Sequence, residues 1–240
     1  KSTNWRMLLL FPLWVAAAFI ASNLVVAALF FVLDLVNISP SDYLRPTVLQ
    51  TSVATVIYAM TIAIAIGVPY YVLRYKTNLG TLGLTRLPSW SDIGLAPVGF
   101  ILYSLLAATV LALITAWWPG LPLDQVQDTG FSAFGSQLDN LLAFMTLVVL
   151  APIAEEILFR GYLYGKLKRY VPAIWAALAT SLLFAVAHMQ LNVGIDVFIL
   201  GLILCGMRSL TGSIWAGVLV HMLKNAIAYY LLFISPLLGG

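Results

Sequence analysis

The stretch AEEILFRGYLYG places three charged residues at the end of an apolar run. Glu155, Glu156 and Arg160 follow LLAFMTLVVLAPI, where almost every side chain is apolar. Charged groups are costly at membrane depth, so their presence needs a chemical or structural reason. Residues four apart share a helix face, which predicts that Glu156 pairs with Arg160 while Glu155 points about 100° away. Glu155 is then left for chemistry, unless both acids share the arginine in a structural network.

Two later apolar runs each carry a histidine. The run LLFAVAHMQ places Phe184 and His188 four residues apart, and HMLKN does the same for His221 and Asn225. Imidazole, carboxylate and amide groups on neighbouring helices can activate a water molecule and stabilise the charge that its attack creates. Taken alone, each residue also has a structural interpretation. An asparagine in a membrane helix, for example, often serves as an interhelical hydrogen-bond partner.

The elements that must position these groups are membrane helices. The 240 residues are 62% hydrophobic and 9% charged, with a mean hydropathy of +1.00, whereas about a quarter of the residues in soluble proteins are charged. Apolar windows of about 17 to 25 residues, long enough to span a bilayer as helix, recur seven times. They lie near 7–33, 50–73, 93–118, 138–165, 172–190, 194–210 and 213–235. We therefore predict an all-α, polytopic membrane helix bundle.

The bundle is expected to form one integral-membrane domain over residues 1–240, with a motif-bearing core at about 138–235. The first run resembles a signal peptide but continues to Leu33, so we expect a retained first helix. The mixed stretch TNLGTLGLTRLPSWSDIG is shorter than a span and is predicted to lie along the membrane interface.

The distribution of basic residues predicts the orientation, because short loops rich in Lys and Arg stay in the cytoplasm. With a cytoplasmic N-terminus and seven spans, the outer segments hold Arg45 alone among the bases, together with acids such as Asp124. The cytoplasmic segments hold Lys1, Arg6, Arg74, Lys76, Arg86, Lys166, Lys168, Arg169 and Arg208. The C-terminus is then predicted to lie outside.

Composition excludes some classes of site. The single cysteine, Cys205, rules out a disulfide framework or a multi-cysteine metal cluster. The basic residues are spread along the chain beside apolar runs, and no glycine-rich phosphate loop or nucleic-acid motif is present, so we expect no nucleic-acid partner.

Together the motifs E-E-x-x-x-R, F-x-x-x-H and H-x-x-x-N, in this order on separate apolar helices, resemble the CPBP family. That family contains the type II CAAX prenyl endopeptidases and bacteriocin-processing (Abi) relatives. The stretch GMRSLTGSIWAGVLVHMLKN also resembles the family's approach to its last motif. The resemblance covers about residues 140–230, and the N-terminal half resembles only generic membrane helix.

The resemblance implies an intramembrane endopeptidase whose partners are membrane lipid and a peptide or lipidated peptide. Glu155 would be the general base that activates the attacking water, and His188 would hold or polarise that water. His221 and Asn225 would stabilise the oxyanion. The ion pair of Glu156 and Arg160 would hold its helix in place.

A metal is left open by this resemblance. Glu155, His188 and His221 could supply oxygen and nitrogen ligands to zinc, but the compact H-E-x-x-H arrangement is absent. A metal-free mechanism that uses glutamate and histidine is the other reading. Lys224 departs from the expected pattern: it either faces a hydrated cavity or pairs with Glu155, which would blunt the base and favour a protein without catalytic activity.

Two other functions compete with proteolysis. A membrane scaffold or immunity-type protein could retain the fold and use the charged residues structurally, and a small ion-coupled transporter could also place ionisable residues at mid-membrane.

Overall fold

A computed structural model describes residues 3–72, 74, 76–123, 125–131 and 136–235, which form eight helices and one short 3-10 turn. Lys1 and Asp124, two residues of the orientation prediction, lie outside the described residues. The helices are α1 (Met7–Leu35), α2 (Pro46–Tyr71), α3 (Leu79–Leu82), α4 (Trp90–Trp117), α5 (Gln137–Leu167), α6 (Ala173–Val186), α7 (Leu191–Thr211) and α8 (Trp215–Ile234).

The predicted helical membrane bundle is confirmed. The chain is 78% helix, and its described residues contain no strand. Six helices are long and apolar enough to cross a membrane, namely all except α3 and the shorter apolar helix α6. The sequence extends the fifth span to residue 190, whereas α6 ends at Val186, because Met189 adopts a left-handed conformation (φ 55°) that breaks the helix.

Much of the apolar surface of the spanning helices faces outward. In α2 only 11% of the most apolar window is buried, and even in α7 the buried share is 50%. Such exposed apolar faces would be unfavourable in water but suit hydrocarbon. The helices therefore indicate an integral, multi-pass membrane protein.

Two compact units divide the chain. Unit 1 contains Lys1–Pro12, Thr77–Gln127 and Glu156–Lys224, and unit 2 contains Leu13–Lys76, Asp128–Glu155 and Asn225–Gly240. The core of unit 1 is formed by buried residues of α4, α7 and α8, namely Ala96, Tyr103, Ala107, Ile199, Leu200, Leu204 and Val220. In unit 2 a cluster of Ala143, Val148 and Tyr229 has this role.

The segment predicted to lie along the interface contains α3, which packs inside unit 1. Asn78 caps the helix by accepting hydrogen bonds from the backbone N–H and the hydroxyl of Thr81, and Leu82 is buried. Glycines on α5 allow this close packing: a Cβ added at Gly161 would lie 2.9 Å from the Leu82 carbonyl oxygen, and one at Gly165 would lie 2.6 Å from that of Thr81.

Candidate active site

Glu156 and Arg160 form the ion pair that their spacing predicts, inside unit 1. Arg160 Nη1 donates to Glu156 Oε1 over 2.8 Å, and both side chains are 0% exposed. The Arg160 guanidinium carbon also lies 4.3 Å from the centre of the Phe184 ring, a cation–π contact. Because removal of one member would leave a buried uncompensated charge, each residue of the pair depends on the other.

His221 joins this pair. Its Nδ1 lies 3.3 Å from Glu156 Oε1, and the imidazole is buried. A carboxylate engaged by arginine only accepts hydrogen bonds, so Nδ1 of His221 is the donor in this contact. A carboxylate that orients a functional histidine in this way is a recurring arrangement in hydrolytic and metal sites.

His188 is held by the backbone of its own helical turn. Its Nδ1 donates to the Phe184 carbonyl oxygen over 2.8 Å, which leaves Nε2 as the ring nitrogen for another partner. The Phe184 ring packs edge-on against His188 (4.9 Å between ring centres) and against His221 (5.7 Å). Phe184 thus contacts both imidazoles as well as Arg160, which explains the phenylalanine of the F-x-x-x-H motif.

Two glycines make room for the buried charges. A Cβ added at Gly217 on α8 would lie 3.0 Å from Glu156 Oε2. On α7, a Cβ at Gly201 would lie 2.7 Å from Ser181 Oγ and 3.2 Å from Arg160 Nη2. Small residues let helices approach closely in membranes, and at these two positions the approach brings α7 and α8 against the ion pair.

Glu155, the last residue of unit 2, has different surroundings from its neighbour. Its side chain is half-buried, and Tyr58 of α2 donates a 2.6 Å hydrogen bond to its Oε1. The sequence gives no hint of this tyrosine, which lies 97 positions away in a stretch that resembles only generic membrane helix. The boundary between the two units thus falls between two adjacent glutamates, one buried in an ion pair and the other half-buried beside a tyrosine.

Around the motif α5 departs from α-helical geometry. π-Helical segments, with hydrogen bonds five residues apart, run over Met145–Leu150 and Glu156–Tyr164, on either side of Ala151–Glu155. In the first segment the Ala151 N–H bonds to the Thr146 carbonyl. The next N–H in this register would belong to Pro152, which has none, so the Leu147 carbonyl loses its helical partner.

Asn225 of α8 replaces that partner. Its Nδ2 donates to the Leu147 carbonyl oxygen over 2.9 Å, within unit 2. The carbonyl that Pro152 leaves without a helical partner is therefore satisfied by a side chain of the third motif. The amide has two N–H donors, of which this contact uses one.

Lys224 forms an ion pair within unit 1. Its Nζ lies 3.3 Å from Asp196 Oδ2, and Tyr103 donates a 2.5 Å hydrogen bond to the other carboxylate oxygen. Side-chain exposures of 12% for Lys224 and 25% for Asp196 show that the pair is largely enclosed. Asp196 lies in the second turn of α7, which begins at Leu191.

A three-ligand metal site is not formed by the part of the chain that the structure describes: no group of three or more His, Cys, Asp or Glu side chains there is arranged to hold a metal ion. In each histidine Nδ1 is engaged in a hydrogen bond, so Nε2 is the nitrogen that could bind a metal. Zinc held by Glu155, His188 and His221 stays a prediction.

Each unit thus gathers part of the predicted set. Unit 1 brings together Glu156, Arg160 and His221 around Phe184, with His188 on the same ring. Unit 2 holds Glu155 and Asn225, each with a partner that the sequence did not indicate.

Comparisons with known proteins agree with the motifs. The family model described as type II CAAX prenyl endopeptidase Rce1-like matches residues 137–227. An uncharacterized 24.3 kDa protein of Escherichia coli is 40% identical over 89 residues, an alignment that covers 35% of this chain and 41% of that protein. No solved structure matches.

The match begins at the first residue of α5 and ends in α8, so it contains all three motifs. The predicted resemblance to the CPBP family is therefore confirmed over residues 137–227, which are similar to the Rce1-like type II CAAX prenyl endopeptidases, a family of proteases.

Proposed function

We propose that this chain is an intramembrane endopeptidase that hydrolyses a peptide bond in a membrane-associated peptide or protein, with CAAX-type lipidated peptides as the substrate class. The observation that carries the proposal is that the two adjacent glutamates have different environments. Glu156 is fully buried with Arg160 and His221, whereas Glu155 is half-buried and held by a neutral hydroxyl. A partly accessible carboxylate is suited to accept a proton from water, as a general base must.

The proposed reaction is attack by an activated water. Glu155 removes a proton from the water, the oxygen attacks the scissile carbonyl, and the proton passes to the departing amine. His188 is assigned to hold or polarise the water, as the family motif implies, and its Nδ1–H is held by the Phe184 carbonyl. These assignments rest on the family motifs together with the environment of each side chain.

Oxyanion stabilisation is assigned to His221 and Asn225. Asn225 retains one N–H beyond the donor that it gives to Leu147. In this role His221 would act from Nε2, since its Nδ1–H is held by Glu156. A zinc ion would supply a Lewis acid in its place, but no step here passes through a metal.

The test is cleavage by the protein reconstituted in liposomes. A farnesylated peptide ending in a CAAX sequence is the first reporter, and a library of membrane-anchored peptides read by mass spectrometry is the second. Glu155→Gln removes the base with almost no change in shape, and Asp34→Asn, at an exposed carboxylate of unit 2, is the matched control. We expect cleavage by the wild type and by Asp34→Asn, and a loss of at least 100-fold in Glu155→Gln, the lower end for general-base catalysis.

Other outcomes would reject the proposal. If the folded wild-type protein cleaves neither reporter, the structural role of the motifs is favoured. Proton- or ion-dependent uptake into the liposomes without cleavage would identify a transporter. Cleavage that survives Glu155→Gln unchanged would reject the assigned base.

A further inference from the structure

Four basic residues lie at one end of unit 1, where α5 and α7 finish. Lys166 is in the last turn of α5 and Lys168 and Arg169 follow it, while Arg208 is in the last turn of α7. Two of them converge on one residue: Arg169 Nη2 donates to the Thr81 hydroxyl over 2.8 Å, and Arg208 Nη2 donates to the Thr81 carbonyl over 3.1 Å. We call Lys166, Lys168, Arg169 and Arg208 the basic cluster.

The sequence provides almost no negative charge to balance the basic cluster. No Asp or Glu occurs in residues 43–91, and after Glu156 the chain contains a single acid, Asp196, which is the partner of Lys224. Glu156 is engaged by Arg160, and Asp92 by Arg86. Each helix C-terminus contributes about half a negative charge. Two helix ends therefore offset only about one of the four positive charges.

Lys168 lies beyond the membrane-spanning segment and within reach of the charges of its basic neighbours. Burial, followed by the positive charges of Arg208 and Arg169, lowers the pKa of the Lys168 ammonium below its ordinary value. An anion bound among these side chains would relieve the repulsion. An anion could reach the cluster from outside the protein, because the side chains of Lys168 and Arg169 are exposed. Arg208, which is only 4% exposed, would contact the anion at the inner side of the cluster.

One hydrogen-bond donor of Arg208, its Nε, meets no acceptor in the part of the protein that the structure describes. Its Nε is buried and has no hydrogen-bond partner among the described residues, although buried arginine donors are normally satisfied. The fork formed by Nε and a terminal nitrogen matches two oxygens of a phosphate group. A buried guanidinium with an unsatisfied donor, beside two exposed cations, is the arrangement of an anion site.

We propose that the basic cluster binds the phosphate of an anionic phospholipid headgroup. A lipid fits better than a soluble anion because the cluster lies at the ends of two membrane-spanning helices, which finish at Leu167 and Thr211, where headgroups lie. Basic pockets between membrane helices are a recurring mode of headgroup recognition. This inference does not depend on the proposed protease activity.

The test is retention of lipid by the full-length protein, measured by native mass spectrometry with phosphatidylglycerol against phosphatidylcholine. The exposed pair is removed in Lys168→Gln/Arg169→Gln, and Arg74→Gln, at an exposed base outside the cluster, is the control. A near-surface basic residue contributes roughly a fivefold gain in affinity for anionic lipid. We expect selective retention of phosphatidylglycerol by the wild type, a loss of affinity of at most about fivefold in the control, and affinity weaker by about 25-fold in the double variant.

A second measurement separates the lipid from a soluble phosphate. Thermal unfolding in detergent is followed with added phosphatidylglycerol or with inorganic phosphate at equal concentration. Stabilisation by the lipid, which the double variant loses, supports the proposal. Equal stabilisation by inorganic phosphate would contradict a lipid site, and equal lipid retention by the wild type and the double variant would overturn the site altogether.

Discussion

At the residue scale, two neighbouring glutamates have unlike environments. Glu156 forms an ion pair with Arg160 and contacts His221 in a fully buried setting, whereas Glu155 meets the Tyr58 hydroxyl and is half-buried. The sequence predicts the Glu156–Arg160 pair because helical spacing is local. It could not predict Tyr58, because a hydrogen bond across 97 positions leaves no periodic signal.

Tyr58 is expected to position the proposed base. Tyr58→Phe removes the hydroxyl that donates to Glu155 while retaining the ring. A hydrogen bond to a charged group contributes about 1.5 to 3 kcal/mol. If Glu155 needs this bond for its orientation, kcat should fall at least tenfold, measured with the reporter peptide in liposomes.

The control for this change is Tyr43→Phe, at a tyrosine that is 77% exposed. It should keep wild-type kcat. A Tyr58→Phe protein that turns over as fast as wild type would show that the hydroxyl has no part in positioning Glu155.

At the element scale, α5 is irregular where the chemistry is proposed. The sequence predicts its position and the proline inside it, but treats it as a regular α-helix. The π-helical register becomes visible only in the backbone hydrogen bonds, and it decides which carbonyl Pro152 leaves without a partner. The acceptor for Asn225 is therefore Leu147, which lies five positions before the proline and not four.

This assignment predicts coupling between Pro152 and Asn225. In Asn225→Ala the Leu147 carbonyl loses its donor, which should cost about 1 to 2 kcal/mol of unfolding free energy. In a Pro152→Ala background the new N–H can bond to Leu147, so the same Asn225→Ala change should cost about 1 kcal/mol less. Chemical denaturation of the four proteins in detergent measures the cycle, and strictly additive effects would refute the assignment.

Helix α7 offers a matched pair of glycines. Gly201→Ala forces a methyl group against Ser181 and Arg160, whereas a Cβ at Gly206 meets nothing within 4 Å. We expect Gly201→Ala to lower the unfolding free energy by about 1 to 3 kcal/mol through overpacking. Gly206→Ala should leave stability unchanged or raise it by up to about 1 kcal/mol. Equal effects of the two changes would mean that α7 does not approach the ion pair closely.

At the scale of the whole molecule, composition and periodicity were enough to predict a helical membrane protein. Apolar windows predict the six long helices because bilayer thickness fixes their length. The end of α6 was predicted four residues late, since the left-handed Met189 depends on local backbone geometry that hydropathy does not report. Packing of α3 against α5 was also missed, because it depends on glycines far away in the sequence.

The orientation of the chain can be tested by labelling introduced cysteines. The native Cys205 is buried at 1% exposure, so it should not react with a membrane-impermeant maleimide. If basic segments are cytoplasmic, Ser41→Cys should react in intact cells, whereas Arg74→Cys should react only after permeabilisation. Both sites are exposed. The opposite pattern would invert the predicted topology.

The central claim, that Glu155 is the base and Glu156 a structural residue, is tested most directly by measuring cleavage and unfolding free energy for Glu155→Gln and Glu156→Gln side by side. We predict that Glu155→Gln abolishes cleavage and changes the unfolding free energy by less than about 1 kcal/mol, since its side chain is half-buried. Glu156→Gln should lose about 3 to 5 kcal/mol, because Arg160 is left as a buried unpaired charge. Retained cleavage in Glu155→Gln, or a Glu156→Gln protein as stable as wild type, would contradict the account.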